Sequence, residues 1–173
     1  AGVIEATRAQ LESAPVVAGT GSGSRELGAA LFDLAIATAL YDTSLWGTLA
    51  TSIADIDDGG AAALLTLVDR QTGRQPDGSF DNSSDSKTMV TCADSSERPS
   101  VQDAADASER IAASATSFGE LTASGTFTCL DWPMATNPLP AITGSGSAPV
   151  LVVGTIGDPA TPYEWSEQMS AAL

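Results

Sequence analysis

The sequence predicts a mostly α-helical chain that ends in one strand–loop–helix unit of a larger α/β sheet. Three observations carry this. Apolar residues recur at helical spacing between Leu27 and Val68. Residues 149–155, Pro-Val-Leu-Val-Val-Gly-Thr, are an unbroken apolar, β-branched run, the composition of a strand buried on both faces. A loop, Gly157-Asp158-Pro159-Ala160-Thr161-Pro162, then leads into a further amphipathic stretch.

Residues 3–12 read as a short helix, and 13–24 as a Gly/Ser loop in which 15–18 can be no more than an edge strand. Ser24 is placed to cap a helix through 25–41, with Leu27, Leu31, Leu34, Thr38 and Tyr41 on one stripe. Asp42 and Thr43 break and recap the chain. The next helix carries Leu45, Trp46, Leu49, Ile53 and Ile56 and ends at Gly59-Gly60. A third, over 61–71, carries Leu64, Leu65, Leu67 and Val68. From 72 to 100 the periodicity is lost, and Pro76-Asp77-Gly78 signals a turn.

Ser100 with Asp103 forms a near-capping box that opens a helix to about Phe118. Residues 120–131 are helical or extended, and 135–148 read as a linker. In the last helix Thr161 is expected as N-cap, Pro162 at the first position and Glu164 at the third, with Trp165, Met169 and Leu173 as its stripe. The expected domains are 1–147, with its linker, and 148–173. A doubly buried strand requires neighbours on each side, and only one convincing candidate strand occurs. The other strands are therefore expected outside this sequence. The alternative is a small mixed fold with strands at 87–92 and 125–130.

Composition narrows the function. The 173 residues include seven Lys plus Arg, twenty-two Asp plus Glu and no His, a net charge of −15. Nucleic-acid binding needs a basic patch, and docking on an anionic membrane surface needs the same. Neither fits. Without His the chain cannot complete a Ser-His-Asp or Cys-His site by itself, and His-ligated zinc is excluded. No apolar run approaches the ~20 residues of a membrane span.

Cys92 and Cys129 lie outside any CxxC pair. They are either two buried thiols or, as the composition of an exported protein favours, one disulfide closing a loop of about 37 residues, worth roughly 3–4 kcal/mol. The chain opens on Ala1-Gly2-Val3-Ile4 with neither an initiator Met nor a basic leader, which reads as a processed product or a fragment.

Residues 148–169, APVLVVGTIGDPATPYEWSEQM, place Asp158 just past the carboxyl end of the predicted strand, where ligands and catalytic groups gather in α/β sheets. Spacing alone leaves open a simple turn in which Asp158 caps the local backbone. The segment resembles the acid-bearing part of secreted tripeptidyl-aminopeptidase and proline-iminopeptidase-like α/β-hydrolases, on Gly154, Asp158, Pro159, Thr161 and Pro162. Residues 40–69 resemble the helical cap, or lid, of the same group. Cys92-Ala93-Asp94 and Cys129-Leu130-Asp131-Trp132-Pro133 resemble its paired cysteine segments. The resemblance covers most of residues 27–170.

It implies a helical cap followed by one strand–loop–helix unit of a hydrolase sheet. It further implies a serine peptidase of the cell envelope or secreted space, and Asp158 as the triad acid, with Thr161 stiffening its loop. Substrates would be peptides or proteins. No cofactor or metal is implied.

Two departures define what this chain lacks. The Gly-rich stretches 19–23 and 144–147 do not form a G-x-S-x-G elbow. The family's chain order is Ser, Asp, His, so the elbow is expected before residue 1 and the His after residue 173. Asp81, Asp85 and Asp94 read as solvated charges, and Trp46 and Trp132 as packing residues. Two further readings stand: a complete, non-catalytic secreted binding module, and part of an esterase with a similar acid loop.

Overall fold

The structure, a computed structural model, describes residues 2–95, 98–115, 117–135, 143–158 and 160–173. The chain divides into two compact units, 1–135 and 136–173. Half of the expected linker, 136–142, lies outside the described residues, as does Pro159.

In the first unit, helix α1 (Gly2–Ser13) leads into a two-stranded antiparallel sheet of β1 (Val16–Ala18) and β2 (Arg25–Leu27), with Val16 opposite Leu27. Helices α2 (Ala29–Leu40), α3 (Trp46–Ala54) and α4 (Gly60–Thr72) follow, then α5 (Ser83–Asp94), α6 (Val101–Ser114) and the short α7 (Gly119–Ala123). The buried core lies within α1–α4 and the sheet: Leu11, Leu27, Phe32, Ile36, Leu49 and Leu64 are among its members. α2 and α3 both pack on α4, and α1 packs on α2.

The fold is mostly helical with this one small sheet, as expected. The capping box of Ser100 and Asp103 is formed, and α4 buries Leu64, Leu65, Leu67 and Val68. Several local expectations are corrected. Residues 25–27 are strand, because Val16–Ala18 offers them a ladder partner, and α2 starts only after Gly28. The buried side of α2 is Phe32, Asp33, Ala35, Ile36 and Ala39. It is set by packing on α1 and α4 rather than by the stripe through Leu27 and Tyr41.

Residues 83–94 form α5, although their sequence is polar. Only Cys92 of α5 is fully buried, and Met89 and Val90 are exposed. Helix pattern fails there because a cross-link, not an apolar stripe, attaches the helix. The strands weighed at 87–92 and 125–130 are not formed; these residues are helical or turn. Trp46 is 51% exposed, so it is not the packing residue expected, whereas Trp132 is half-buried.

Two polar devices hold the periphery of this unit. Cys92 and Cys129 form a disulfide, with Cα atoms 5.4 Å apart, joining α5 to the segment after α7. Arg8 of α1 donates to buried Asp33 of α2 at 2.9 Å and also pairs with Glu12 and with Glu120 of α7. The hydrogen bond to Asp33 is the chief cause that raises the Arg8 pKa above its ordinary value. The Asp33 side chain is only 5% exposed, and a carboxylate so placed is tolerated only when paired.

In the second unit, α8 (Tyr163–Ala172) buries none of its residues. Its N-cap is Pro162, and the expected capping box of Thr161 and Glu164 is absent. The Thr161 hydroxyl is instead engaged by Asp158. Residues 149–155 are not a strand: among the described residues none pairs with their backbone. Leu151 is 86% and Ile156 85% exposed. A strand exists only through a neighbour that fills its backbone N–H and C=O groups, and this segment has none here.

Arg8→Met is expected to destabilise the first unit by about 3 kcal/mol, because it strands a buried carboxylate. Glu12→Gln, removing an exposed partner, is expected to stay within about 0.5 kcal/mol. Urea unfolding of the two variants checks this difference.

Candidate functional site

The loop that carries Asp158 is built by its own backbone. Gly157 has φ +80°, a conformation a side chain resists, and it turns the chain so that the Asp158 carboxylate faces the residues after it. Asp158 Oδ1 accepts from the Ala160 amide at 2.8 Å and the Thr161 amide at 3.0 Å. Oδ2 accepts from the Thr161 hydroxyl at 2.7 Å.

These bonds favour the charged form. The Thr161 hydroxyl contributes most, then the Thr161 and Ala160 amides, and together they hold the carboxyl below its ordinary value. Asp158 is thus an ionised acceptor at neutral pH. An ionised carboxylate has about four lone-pair sites, and among the described residues three donors fill them.

The donor set alone does not single out Asp158. Asp42, Asp77 and Asp81 each accept the amide and hydroxyl of a Ser two residues on, and Asp103 does so from Ser100. Each is likewise lowered by its serine. Asp158 differs in its third donor and in its place, immediately after the β-branched run. Asp81, Asp85 and Asp94 are exposed.

The run itself is held near α8. A Cβ on Gly154 would collide with the Ser166 side chain, so only glycine allows this approach. Between the two lies a groove of about 360 Å³, lined by Val152, Gly154, Tyr163, Ser166, Glu167 and Ser170. Asp158 does not line it, so the groove is not where that carboxylate would act.

Thr161 donates to Asp158 through both its amide and its hydroxyl. The amide of Ala160 as a donor went unseen in the sequence; the turn-forming Asp-Pro pair was the available signal. Among the described residues no group of His, Cys, Asp and Glu is arranged to hold a metal ion.

Residues 114–173 match the family described as TAP-like protein. Serine protease Hip1 of Mycobacterium tuberculosis (strain H37Rv) is 34% identical over 131 residues, covering 73% of this chain and 25% of that protein. Carboxylesterase B of the same strain is 34% identical over 167 residues, covering 92% of this chain and 32% of that protein. A putative hydrolase of Mycobacterium bovis matches to the same extent as the latter. The chain spans between a quarter and a third of the length of these relatives. No solved structure matches it. The class is that of the α/β-hydrolases, and the chain belongs to the TAP-like group, in a serine hydrolase lineage.

Thr161→Val removes the largest cause of the lowered Asp158 pKa and is expected to move that pKa up towards the ordinary ~3.9. A carboxyl NMR titration of Asp158 reads this. The sign for stability follows: a depressed carboxylate adds stability above its unfolded pKa and loses it as pH falls through the folded value. The loop should therefore loosen only in acid, and at a higher pH in Thr161→Val.

Proposed function

We propose that this chain is the cap and acid-bearing portion of a serine hydrolase, an aminopeptidase-like protease acting on peptides or proteins. Asp158 is its triad acid. The Ser and His come from the remainder of the hydrolase domain, with which this chain acts. The observation that supports this best is a strand-like run standing exposed and unpaired at 149–155, followed at once by a carboxylate kept ionised by three donors.

The chemistry follows from that carboxylate. Asp158 accepts a hydrogen bond from one ring nitrogen of the His, on its remaining acceptor site. This fixes the tautomer whose other nitrogen takes the Ser proton, and it stabilises the imidazolium that results. The serine then attacks the scissile carbonyl and carries the acyl group until water releases it. Thr161 and the Ala160 amide keep the acid charged and aimed, so no reorganisation is needed at the moment of proton transfer. Residues 1–147 form the cap that sets which substrates reach the serine. The protein acts in the secreted space or cell envelope, which suits the disulfide. No helix among the described residues is long and apolar enough to cross a membrane.

A second reading, an esterase, is favoured by the match to carboxylesterase B over 92% of the chain. Both proceed through the same acyl-enzyme, and profiling peptide against ester substrates separates them. A self-sufficient binding module fits less well, because it would have to leave Leu151, Val153 and Ile156 in water.

In the complete protein, Asp158→Asn is expected to lower kcat by about 10³–10⁴-fold with little change in KM, the loss typical of a triad acid. Asp94→Asn should leave kcat unchanged. The 173-residue chain by itself should not be labelled by a fluorophosphonate. Retention of more than about a tenth of kcat in Asp158→Asn would contradict the assignment.

A further inference from the structure

The disulfide is not the only tie between α5 and the segment that leaves the first unit. Arg98, half-buried, spreads its guanidinium across the same gap. Its Nη2 donates to the Cys92 carbonyl at 2.7 Å and its Nη1 to the Ser95 carbonyl at 2.9 Å, both at the end of α5. On the far side its Nε donates to the Trp132 carbonyl at 2.9 Å and its Nη2 to the Pro133 carbonyl at 2.8 Å. Among the described residues one planar cation thus meets four carbonyls, two on each side. The last carbonyls of a helix have no partner within it, and the Cys92 carbonyl, in the last turn of α5, is met here by the guanidinium. The fork of five N–H donors is what makes such a bridge possible, and a lysine cannot reproduce it.

We infer that the fold holds residues 128–133 against α5 with two independent locks of different chemistry, the Cys92–Cys129 disulfide and the Arg98 carbonyl clasp. Each alone keeps the segment closed. Cys92 lies on both: its sulfur carries the first lock and its carbonyl receives the second. The two locks grip at different points, Cys129 for the sulfur and Trp132 with Pro133 for the guanidinium, so losing one leaves the other anchored. The bond to Cys92 is thereby not a redox switch. Reduction by a thiol leaves the segment in place while Arg98 keeps its carbonyls.

The clasp has a reason to be double. α5 offers almost no apolar face to the core, and residues 128–133 form only turns, through Thr128 to Gly125, Leu130 to Phe127 and Trp132 to Cys129. Neither element would order itself against the other by burial of apolar surface. A single covalent tie restrains one point, whereas the guanidinium restrains the direction in which the chain departs.

Amide hydrogen exchange in the complete protein, with and without a reducing agent, tests this at the Thr128, Leu130 and Trp132 amides. Reduction of the unmodified protein is expected to speed their exchange by less than about threefold, and Arg98→Met in the oxidised protein likewise. Arg98→Met together with reduction should speed it by more than about tenfold beyond either change alone. Arg98→Lys with reduction should fall between. The α1–α4 amides report global folding; should Arg98→Met disturb them, Arg98→Lys carries the comparison. Full opening on reduction alone, full opening in oxidised Arg98→Met, or a double effect no larger than the sum of the single ones would each overturn the two-lock arrangement.

Discussion

A β-strand cannot satisfy its own backbone. Every N–H and C=O along it must be met by a neighbour or by water, and side chains such as Val150, Leu151, Val152 and Val153 suit only a neighbour that also excludes water. In this chain the segment has the composition of such a strand and no partner among the described residues. Val150, Leu151 and Val153 stand in solvent. The placement of Asp158 depends on this constraint, since a carboxylate at the end of a paired strand has a fixed address in a sheet, and at the end of an unpaired one it does not.

The first unit meets its own demands by different means. Its core is confined to α1–α4 and the small sheet. There the apolar residues are dense enough that even Asp33 is drawn inside and must be answered by Arg8. Beyond α4 the composition turns polar, and while α6 still packs on α7, apolar burial is supplemented by discrete ties. These are the disulfide, the Arg98 clasp, and the reach of Arg8 to Glu120 on α7. With seven basic residues against twenty-two acidic ones, Arg8 and Arg98 act as cross-braces between elements. Arg25 does the same, joining β2 to Asp69 of α4 at 2.7 Å.

What could be read in advance follows the same division. α4 was legible because Leu64, Leu65, Leu67 and Val68 bury as their spacing demands. The Ser100–Asp103 box was legible because capping is decided by residues three apart. α5 was not, because its attachment runs through Cys92 to a residue 37 positions away, and no local period records that. The strand at 25–27 was missed for a related reason: its partner at 16–18 outweighs the helical preference of Arg-Glu-Leu.

In the sequence Asp158 stands out by its place after the run, with a simple turn as the other reading, and the two Cys allow a disulfide or two buried thiols, of which the structure has the disulfide. The missing cap on α8 was not foreseen: the helix starts after Pro162, and the Thr161 hydroxyl donates to Asp158. The TAP-like match over 114–173 spans the Asp158 loop.

The proposed function needs residues 149–155 to pair as a strand within the sheet of a larger hydrolase domain. Amide hydrogen exchange at Leu151, Val152 and Val153 in the 173-residue chain and in the complete protein reads that pairing. Near-unprotected exchange is expected in the chain alone, and protection of at least about a thousandfold in the complete protein. Equal protection in both, or free exchange in both, would contradict it.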